Sequence, residues 1–410
     1  MIRLTVVVNQ FPVLSESFIV NKVMGLRAAG VDVTVIAHSP KNDQALYAER
    51  LTHETLPPRH LALTSGGWLG LAWRVINFFL RYPQLTIRLW LAATQRYSNS
   101  RRAMRAWLLA LPLVVGKYDI IHFAYSGLAV SYMDVLPLLT PAKLITSCRG
   151  AAEQIMPLFK PERARELKQL LPQLDRVHCV SEDMGQIMRQ YGARPDQIFI
   201  NHPSIDPSRF QRQQPYSLKT EGPYHIISVG RLHWKKGLEY GLLAIRQLID
   251  TGYDVVYDII GGGESEESLR FATHDLGLQA HVQWHGRQPA TLVKQQLEQA
   301  DICLLPSLSE GLSNAALEAM AMELPIVATM AGGMAEAITD GVEGYLVPSR
   351  DAAAMAQATS HLLDNPQLRQ QMGQAGRQRI ESQFHLQRQI DCFLQEYQAL
   401  LRKPDTEIYA

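Results

Sequence analysis

The sequence predicts an α/β protein built from two doubly wound domains that face a cleft, followed by a helical C-terminal tail. Three observations lead to this prediction. The 410 residues exceed what one hydrophobic core usually organises, and they suit two domains. Short apolar runs, typical of buried parallel strands, alternate with helical segments in two separate series. From about Asp351 onward the chain keeps helical periodicity and contains no strand pattern.

The first series begins at the N-terminus. IRLTVVV predicts a buried strand, SESFIVNKVMGLRAAG a helix that ends at Gly30, and VDVTVIAH a second strand, which together form one βαβ unit. Further strands of the same parallel sheet are predicted in YDIIHFAY, AKLITSC and RVHCVS. The polar, proline-rich stretch INHPSIDPSRFQRQQPYSLKTEGP follows them and is predicted to link the two domains.

The second series predicts six more strands, in HIISVG, VVYDIIGGG, HVQWHG, ADICLLPS, LPIVAT and GYLV. Helices are expected between them, for example from Leu238 to Asp250 and from Ser265 to Leu276. The predicted domains are therefore Rossmann-like over residues 1–205 and again over residues 206–385. Residues 386–410 are expected to form a C-terminal helix that packs back on the N-terminal domain.

Composition and charge exclude several classes of protein. Hydrophobic residues make up 47% of the chain and charged residues 19%, with a formal net charge of +1, which argues against nucleic acid as a partner. The four cysteines are scattered, with no CxxC pair and no histidine at zinc-finger spacing, so neither a disulfide framework nor a structural metal site is expected. The apolar run before Asn9 is too short for a signal peptide or a membrane span. We expect a cytoplasmic protein.

The segment from Thr55 to Tyr118 contains no Asp or Glu. Basic and aromatic residues are interleaved in it: Arg59, Trp68, Trp73, Arg74, Arg81, Arg88, Trp90, Arg96, Arg101, Arg102, Arg105 and Trp107. Arginines interrupt its apolar runs, so neither run spans a bilayer. The pattern is typical of helices that lie on an anionic lipid surface, and it predicts peripheral contact with the inner face of the membrane. An amphipathic helix packed on the first domain with a solvated basic face would give the same pattern.

Two carboxylates, Glu310 and Glu318, lie eight positions apart in PSLSEGLSNAALEAMAMELPIVAT. ADICLLPS is a predicted strand, so Glu310 lies in the loop at its carboxyl end, where open α/β sheets bind ligands. Gly311 permits close backbone approach, Ser313 or Asn314 is a suitable N-cap, and the N–H groups of Leu312, Ser313 and Asn314 would point at an anion such as phosphate.

In a helix, eight residues separate two side chains by about 12 Å, against roughly 5 Å for the paired carboxylates of a retaining glycosidase. The two glutamates are therefore expected to hold different parts of an extended ligand rather than to act on one bond. A surface helix residue at 318 and an unrelated loop acid at 310 are the alternative.

Two cations occupy another strand-to-helix loop, in ISVGRLHWKKG. Arg231 follows Gly230 directly and Lys236 precedes Gly237. Two cations at the same edge of the same sheet can neutralise a diphosphate and stabilise its departure. Solvated basic residues near a turn are the alternative. The glycines of IIGGGESEE, including Gly263, mark a further strand end where backbone approaches closely.

These motifs resemble the retaining nucleotide-sugar glycosyltransferases of GT-B fold, specifically family 4: GRLHWKKG, the GGGE turn and EGLSNAALE occur in the same order. The resemblance implies that Arg231 and Lys236 hold the donor diphosphate, that Glu310 contacts the transferred sugar and that Glu318 contacts the nucleoside ribose. It implies no cofactor and no metal, because the cations and the helix N–H groups take the place of Mg²⁺. Arg287 in WHGR lies where the family places its base-contacting loop.

The resemblance assigns the acceptor to the N-terminal domain. The first loop reads QFPVLSESFI, with Ser15, Glu16 and Ser17, a form similar to the branch that builds exopolysaccharides and capsular or lipid-linked glycans. His122 matches the first histidine of the family's H-x-H pattern, and Ala124 replaces the second. A lone strand histidine is also a common core residue.

In SCRGAAE, Arg149 stands where a histidine before glycine is common. It is expected to touch donor phosphate or an anionic acceptor, and a salt bridge between the lobes or at the surface is the alternative.

The sequence thus predicts a metal-independent, retaining transfer of a hexose from a UDP- or GDP-linked donor to a hydroxyl of a membrane-associated glycan or glycolipid. A non-catalytic nucleotide-sugar binder or scaffold of the same fold is the main rival, suggested by Ala124. A phosphorylase using pyridoxal phosphate would need a buried Schiff-base lysine and a longer chain.

Overall fold

The computed structural model describes residues 1–13, 16–40, 59–60, 67–216 and 218–402. These residues form two compact units. The N-terminal unit comprises residues up to Cys179, Gly185–Asn201 and the residues from Ile390 onward, and the C-terminal unit comprises Val180–Met184 and His202–Gln389.

Each unit contains one parallel sheet. In chain order the strands are β1 (Arg3–Phe11), β2 (Asp32–Pro40), β3 (Arg59–His60), β4 (Ile120–Phe123), β5 (Lys143–Cys148), β6 (Arg176–Cys179), β7 (Ile198–Ile200), β8 (Tyr224–Val229), β9 (Val255–Ile260), β10 (Val282–Gly286), β11 (Ile302–Leu305), β12 (Ile326–Thr329) and β13 (Gly344–Val347).

The helices of the described residues, in chain order, are α1 (Ser17–Ala28), α2 (Gly67–Arg81), α3 (Pro83–Arg96), α4 (Ser100–Val115), α5 (Ser126–Ser131), α6 (Ala151–Gln154), α7 (Met156–Phe159), α8 (Pro161–Leu170), α9 (Glu182–Gln190), α10 (Leu238–Asp250), α11 (Glu266–Asp275), α12 (Ala290–Gln299), α13 (Asn314–Ala321), α14 (Met334–Ala337), α15 (Ala352–Asp364), α16 (Pro366–Gln383) and α17 (Leu386–Leu401).

Within the described residues, the N-terminal sheet has the order β3-β2-β1-β4-β5-β6-β7 and the C-terminal sheet the order β10-β9-β8-β11-β12-β13. In both sheets the strand order reverses next to the first long strand, between β1 and β4 and between β8 and β11. This doubly wound topology places a ligand crevice outside the carboxyl ends of those two strands. The predicted α/β architecture of two Rossmann-like domains with a helical C-terminal region is confirmed.

The strands form because their apolar runs are buried on both faces. Leu4, Val6, Val7 and Val8 of β1 are almost fully buried, as are the central residues of β8 and β11. The helices cover the sheets with one apolar stripe each: Leu238, Leu242, Ile245 and Leu248 of α10 recur at helical spacing and are all buried.

Two short strands were not predicted from the sequence. β7 has three residues and β3 has two, which is too short to show a period of two, and their pairing with longer neighbours defines them. Apart from Ile200, which ends β7, the predicted linker has no helix or regular strand in its described part, and from His202 onward it belongs to the C-terminal unit. Tyr216 is buried there and its hydroxyl donates to the carbonyl of Asp301 at 2.6 Å.

The acid-free segment forms three helices, α2 to α4, in its described part. Residues 55–58 and 61–66, and the side chains of Arg59, Trp68 and Arg74, lie outside the described residues. No helix in the described part of the chain is both long and apolar enough to cross a membrane. The four cysteines are all free thiols.

The last helix, α17, contributes to the core of the N-terminal unit. Phe393 and Tyr397 are buried, and the Tyr397 hydroxyl lies 2.8 Å from Nδ1 of His122 on β4. A polar link of this kind fixes the register of a helix against a sheet, because a slip would leave both buried groups without a partner.

Candidate active site at the carboxyl edge of the C-terminal sheet

The loop after β8 is shaped by a short 3₁₀ turn and a left-handed glycine. Trp234–Lys236 form the turn, and Nδ1 of His233 accepts a hydrogen bond from the backbone N–H of Lys235 at 3.3 Å. Gly237 follows with φ +58°, and a Cβ there would collide with the carbonyl oxygen of Pro306. Only glycine therefore lets this loop approach the loop after β11 so closely.

Backbone hydrogen bonds join the loop after β8 to the loop after β11. The carbonyl of Lys235 accepts from the N–H of Leu308 at 2.7 Å and from that of Ser309 at 3.3 Å. The crevice at the strand-order reversal of this unit therefore has two walls of defined backbone, which is the preorganisation a binding site needs.

An ion pair crosses this crevice. Nζ of Lys236 contacts Oε1 of Glu310, and the Ser307 hydroxyl donates to the same oxygen at 2.8 Å. The two charged side chains are only 17% and 11% exposed. Burial strengthens their attraction and makes either charge costly without the other. The structure therefore brings together two of the residues that the sequence analysis placed at the reacting centre.

Positive charge exceeds negative charge around this ion pair. Arg231 is exposed, and no described residue accepts a hydrogen bond from its guanidinium. Burial lowers the pKa of Lys235, and the neighbouring Lys236 and Arg231 lower it further against the opposing effect of Glu310. Burial likewise lowers the pKa of His233. Three basic residues outnumber the two carboxylates here, Glu310 and the exposed Glu264, whose Oε1 lies 3.4 Å from Nε2 of His233, so the local field attracts anions.

The first turn of α13 offers backbone donors to the same place. Ser313 is the N-cap residue, and its side chain makes no capping bond. Among the described residues no acceptor binds the N–H groups of Leu312, Ser313 or Asn314. A backbone hydrogen bond fixes this turn: the N–H of Gly333 donates to the carbonyl of Gly311 at 2.9 Å. Free N–H groups at a helix start bind phosphate oxygens.

Glu318 lies further along α13 and has an unusual titration. Burial raises its pKa to about 7. Glu318 and Lys236 both interact electrostatically with the buried thiol of Cys303 on β11, whose pKa burial raises to about 12. Glu310 lies in the loop after β11 and Glu318 in helix α13 that follows it, an arrangement that suits contacts to separate parts of one ligand.

The glycine turn after β9 packs against the loop after β8. A Cβ at Gly261 would collide with the carbonyl oxygen of Gly230, and one at Gly263 with that of Leu232. The side chain of Arg287 lies beside Gly262, where an added Cβ would be 3.0 Å from its Cγ and Nε atoms. Gly230, Gly263 and Arg287 thus lie together at the same sheet edge as Arg231.

Sequence reasoning missed two contributors to this site. Ser307 orients Glu310 through its hydroxyl, and Lys235 adds a half-buried cation. The signal for Lys235 was its place beside Lys236 in WKKG. Nothing in the sequence singled out Ser307 except its position three residues before Glu310, because a serine after a strand is a common turn residue.

The acceptor-side candidates lie in the N-terminal unit, except that Ser15 is outside the described residues. Glu16 is the N-cap residue of α1 and Ser17 begins that helix.

His122 is fully buried and is bonded to Ser147 Oγ at 2.8 Å and to Tyr397. Burial together with Lys22 holds the pKa of His122 well below its usual range. These surroundings favour the core interpretation of His122. Arg149 follows β5 directly, and its guanidinium lies over the ring of Phe18.

Comparison with known proteins matches both units. Residues 15–209 match the family Glycosyltransferase Family 4, and residues 210–379 match Glycosyl transferases group 1. The amylovoran biosynthesis glycosyltransferase AmsK of Erwinia amylovora is 28% identical, over 93% of this chain and 96% of that protein. A D-inositol 3-phosphate glycosyltransferase of Paenarthrobacter aurescens is 29% identical, over 69% of this chain and 73% of that protein.

Among solved structures, Anabaena Alr3699/HepE in complex with UDP-glucose superimposes with a TM-score of 0.75 at 14% identity, covering 97% of this chain and all of that one. The fold is therefore GT-B. The two family matches, which together extend over nearly the whole chain, make it a glycosyltransferase: its N-terminal half has the family 4 domain and its C-terminal half the group 1 domain.

Proposed function

We propose that this protein is a retaining hexosyltransferase that uses a UDP- or GDP-linked sugar and acts on a hydroxyl of a membrane-associated glycan or glycolipid, without a metal ion. The observation that carries the proposal is the convergence of Arg231, the Lys236 and Glu310 ion pair and the open N-terminus of α13 at the ends of β8 and β11. Each of these groups suits one part of a nucleotide-sugar.

The donor diphosphate binds between Arg231, Lys236 and the free N–H groups of α13. Arg231 is available for bidentate contact because its guanidinium has no acceptor among the described residues. As the bond between sugar and phosphate breaks, negative charge grows on the leaving diphosphate, and these fixed donors stabilise it. Lys236 exchanges part of its contact with Glu310 for the phosphate, which frees a carboxylate oxygen for the sugar hydroxyls.

The nucleoside extends away from the reacting carbon along α13. Glu318 accepts hydrogen bonds from the ribose hydroxyls, and Arg287 lies beside the base. The spacing of the two glutamates supports this extended placement, as does the UDP-glucose bound in the HepE structure. The resemblance to AmsK supports an acceptor from polysaccharide biosynthesis.

Transfer with retention proceeds by attack of the acceptor hydroxyl on the same face of the sugar that the diphosphate leaves. A new bond forms between the acceptor oxygen and the anomeric carbon, the bond to phosphate breaks, and a leaving phosphate oxygen takes the acceptor's proton. The chain's part is to orient the sugar through Glu310 and to stabilise the leaving group through Arg231 and Lys236.

A basic, aromatic surface supports membrane contact by the N-terminal unit. On α2, Trp73, Ile76 and Leu80 lie on one helix face and are half or more exposed. On α3, Ile87 and Leu91 are likewise exposed. Exposed arginines accompany them on these helices and on α4: Arg81, Arg88, Arg96, Arg101 and Arg105. Apolar side chains beside unpaired arginines suit a surface of anionic lipid, facing the cytoplasm.

A thermal-stability screen against nucleotide sugars tests the donor assignment first, because a bound donor stabilises the folded state in proportion to its affinity. With the donor identified, Arg231→Ala should remove most transfer while keeping the thermal midpoint, and Arg270→Ala, an exposed arginine of the same unit, should leave transfer intact. Glu310→Gln should also remove most transfer, with a lower thermal midpoint because Lys236 loses its partner, so its transfer is assayed well below that midpoint. Full transfer by either site variant contradicts the proposal. Donor binding without turnover on any acceptor would favour the non-catalytic rival.

A further inference from the structure

Arg149 is a partly buried cation without an ion-pair partner among the described residues. Its Nε atom is inaccessible to solvent and has no hydrogen-bond partner. The guanidinium carbon lies 4.1 Å from the centre of the Phe18 ring, and Phe18 in turn meets Tyr125 edge to face. Buried polar groups of folded proteins are nearly always paired, so an unpaired guanidinium nitrogen requires an explanation.

The acidic groups nearest Arg149 are already bound elsewhere or lie too far for an ion pair. Oε2 of Glu153 accepts the backbone N–H groups of Arg149 and Gly150 at 3.3 and 3.2 Å. Its Oε1 contacts Ser126 and lies 3.8 Å from the guanidinium of Arg163. Glu16 interacts with Arg149 only at longer range. Among the described residues, no carboxylate lies within ion-pair distance of Arg149.

A second basic residue, Lys22, is buried close to Arg149. Nζ of Lys22 lies 2.9 Å from Nδ1 of His122 and 4.1 Å from the centre of the Phe393 ring, and the residue is only 4% exposed. Burial lowers the pKa of Lys22, and the charge of Arg149 lowers it further. No described carboxylate pairs with Lys22 either. A partly buried guanidinium without a counter-ion is costly, and an arriving anion would offset that cost.

The position of Arg149 makes it reachable by a ligand of the N-terminal unit. It follows β5 at the carboxyl edge of the sheet, and the ring of Phe18 holds it beside the first turn of α1. That helix has twelve residues and no side-chain cap, so its first N–H groups add positive potential. Contact with an aromatic ring restrains the guanidinium at this sheet edge, and the partial exposure of the residue leaves it accessible to an oxyanion.

We propose that Arg149, with the first turn of α1, binds an anionic group of the acceptor, a phosphate or a carboxylate. The inference rests on the proposed function, because it assumes that the N-terminal unit holds the acceptor. It narrows the acceptor to a charged glycan or glycolipid.

The test uses the full chain carrying Arg231→Ala, which weakens anion binding in the C-terminal unit. Inorganic phosphate and glucuronate are the probes, measured by isothermal titration without vesicles. At least one should bind, and adding Arg149→Gln should raise its Kd about tenfold or more, the loss expected for a charge-assisted bidentate contact. Arg149→Lys should give an intermediate Kd, and Arg165→Gln, an exposed arginine of the same unit, should change nothing.

The pattern of results separates the possible ligands. Binding of phosphate alone indicates a phosphate-bearing acceptor, and binding of glucuronate alone indicates an acidic sugar. The inference is overturned if neither probe binds, or if both the Gln and the Lys variants bind as the parent does. It is also overturned if Arg149→Gln in the otherwise native chain weakens the nucleotide-sugar instead, because the anion is then the donor's. Failure of the proposed function looks different: no nucleotide-sugar stabilises the native chain at all.

Discussion

Lys236 and Glu310 form a nearly buried ion pair that joins the loop after β8 to the loop after β11. Both residues come from loops at the strand-order reversal of the C-terminal sheet, where the two loops are also bonded through the backbone of Lys235. The pair therefore serves two purposes before any ligand arrives: it holds the crevice in shape, and it keeps a cation and a carboxylate ready at the position proposed for the reacting sugar.

This coupling is measurable with a double-mutant cycle of Lys236→Met and Glu310→Gln. Each single variant leaves a buried partner uncompensated, so we expect a coupling free energy of about 1–3 kcal/mol by denaturant unfolding. The exposed pair of Arg246 and Asp250 on α10 provides the matched control, with an expected coupling of about 0.3–0.5 kcal/mol. Equal couplings for the two pairs would show that the first is an ordinary surface ion pair.

Glu318 should make stability depend on pH around neutrality. Burial raises its pKa in the folded state to about 7, above its value in the unfolded chain. Between those two values the folded state holds the extra proton, so the free energy of unfolding should fall as pH rises toward and through 7. Glu318→Gln should remove this decline, whereas Glu267→Gln on the surface of α11 should keep it. Urea titrations from pH 5 to 8 measure the free energy of unfolding at each pH. The prediction is wrong if this free energy changes with pH equally in the native and Glu318→Gln proteins.

The contact between His225 and Asp258 should also make the free energy of unfolding fall as pH rises, here through the titration of His225. Its carboxylate accepts from His225 Nδ1 at 2.8 Å, and this hydrogen bond is the main reason that the pKa of His225 is raised. A raised histidine pKa stabilises the fold below the unfolded value and loses that contribution as pH rises through the folded one. We expect His225→Gln to destabilise more at pH 5.5 than at pH 9, by thermal melting. His274→Gln, on the exposed side of α11, should show no such difference, and a pH-independent effect at 225 would contradict the assignment.

The surface of α2 to α4 should bind anionic vesicles. Each basic side chain near an anionic surface contributes about 1 kcal/mol, so replacing Arg81, Arg88, Arg96, Arg101 and Arg105 by serine should abolish flotation with anionic liposomes. Arg102 is left in place because it pairs with Asp134. Replacing Arg165 and Arg189, which are exposed elsewhere on the same unit, should have little effect. If the native protein does not float with anionic liposomes, membrane contact by this surface is contradicted.

Much of the fold followed from the sequence because its parallel strands are buried on both faces. Such strands appear as unbroken apolar runs, and this is why β8 to β13 and helix α10 were located closely. Motif order also placed Arg231, Lys236 and Glu310 on loops of one sheet edge. The contacts among them were not predictable in the same way, since the hydroxyl of Ser307 and the backbone of Lys235 matter only through their distance from residues far along the chain.

In the N-terminal unit, sequence position alone did not distinguish a core residue from a residue with an unpaired polar atom. His122 and Arg149 have the same kind of position in the sequence, each at or after a buried strand. One lies in the core, bonded to Ser147 and to Tyr397 of the last helix, while the other has a buried nitrogen with no partner. Lys22 gave no signal at all, because a lysine on a predicted helix is ordinarily solvated.

By itself, then, the chain's order of apolar runs and loop motifs determined the two parallel sheets, their helices and the edge at which chemistry-bearing residues collect. Tertiary structure alone decided which charges meet, which are buried and which lack a partner. The reason is physical: periodicity is a local property set by backbone geometry, whereas pairing and burial depend on distances between segments that only the folded chain brings together.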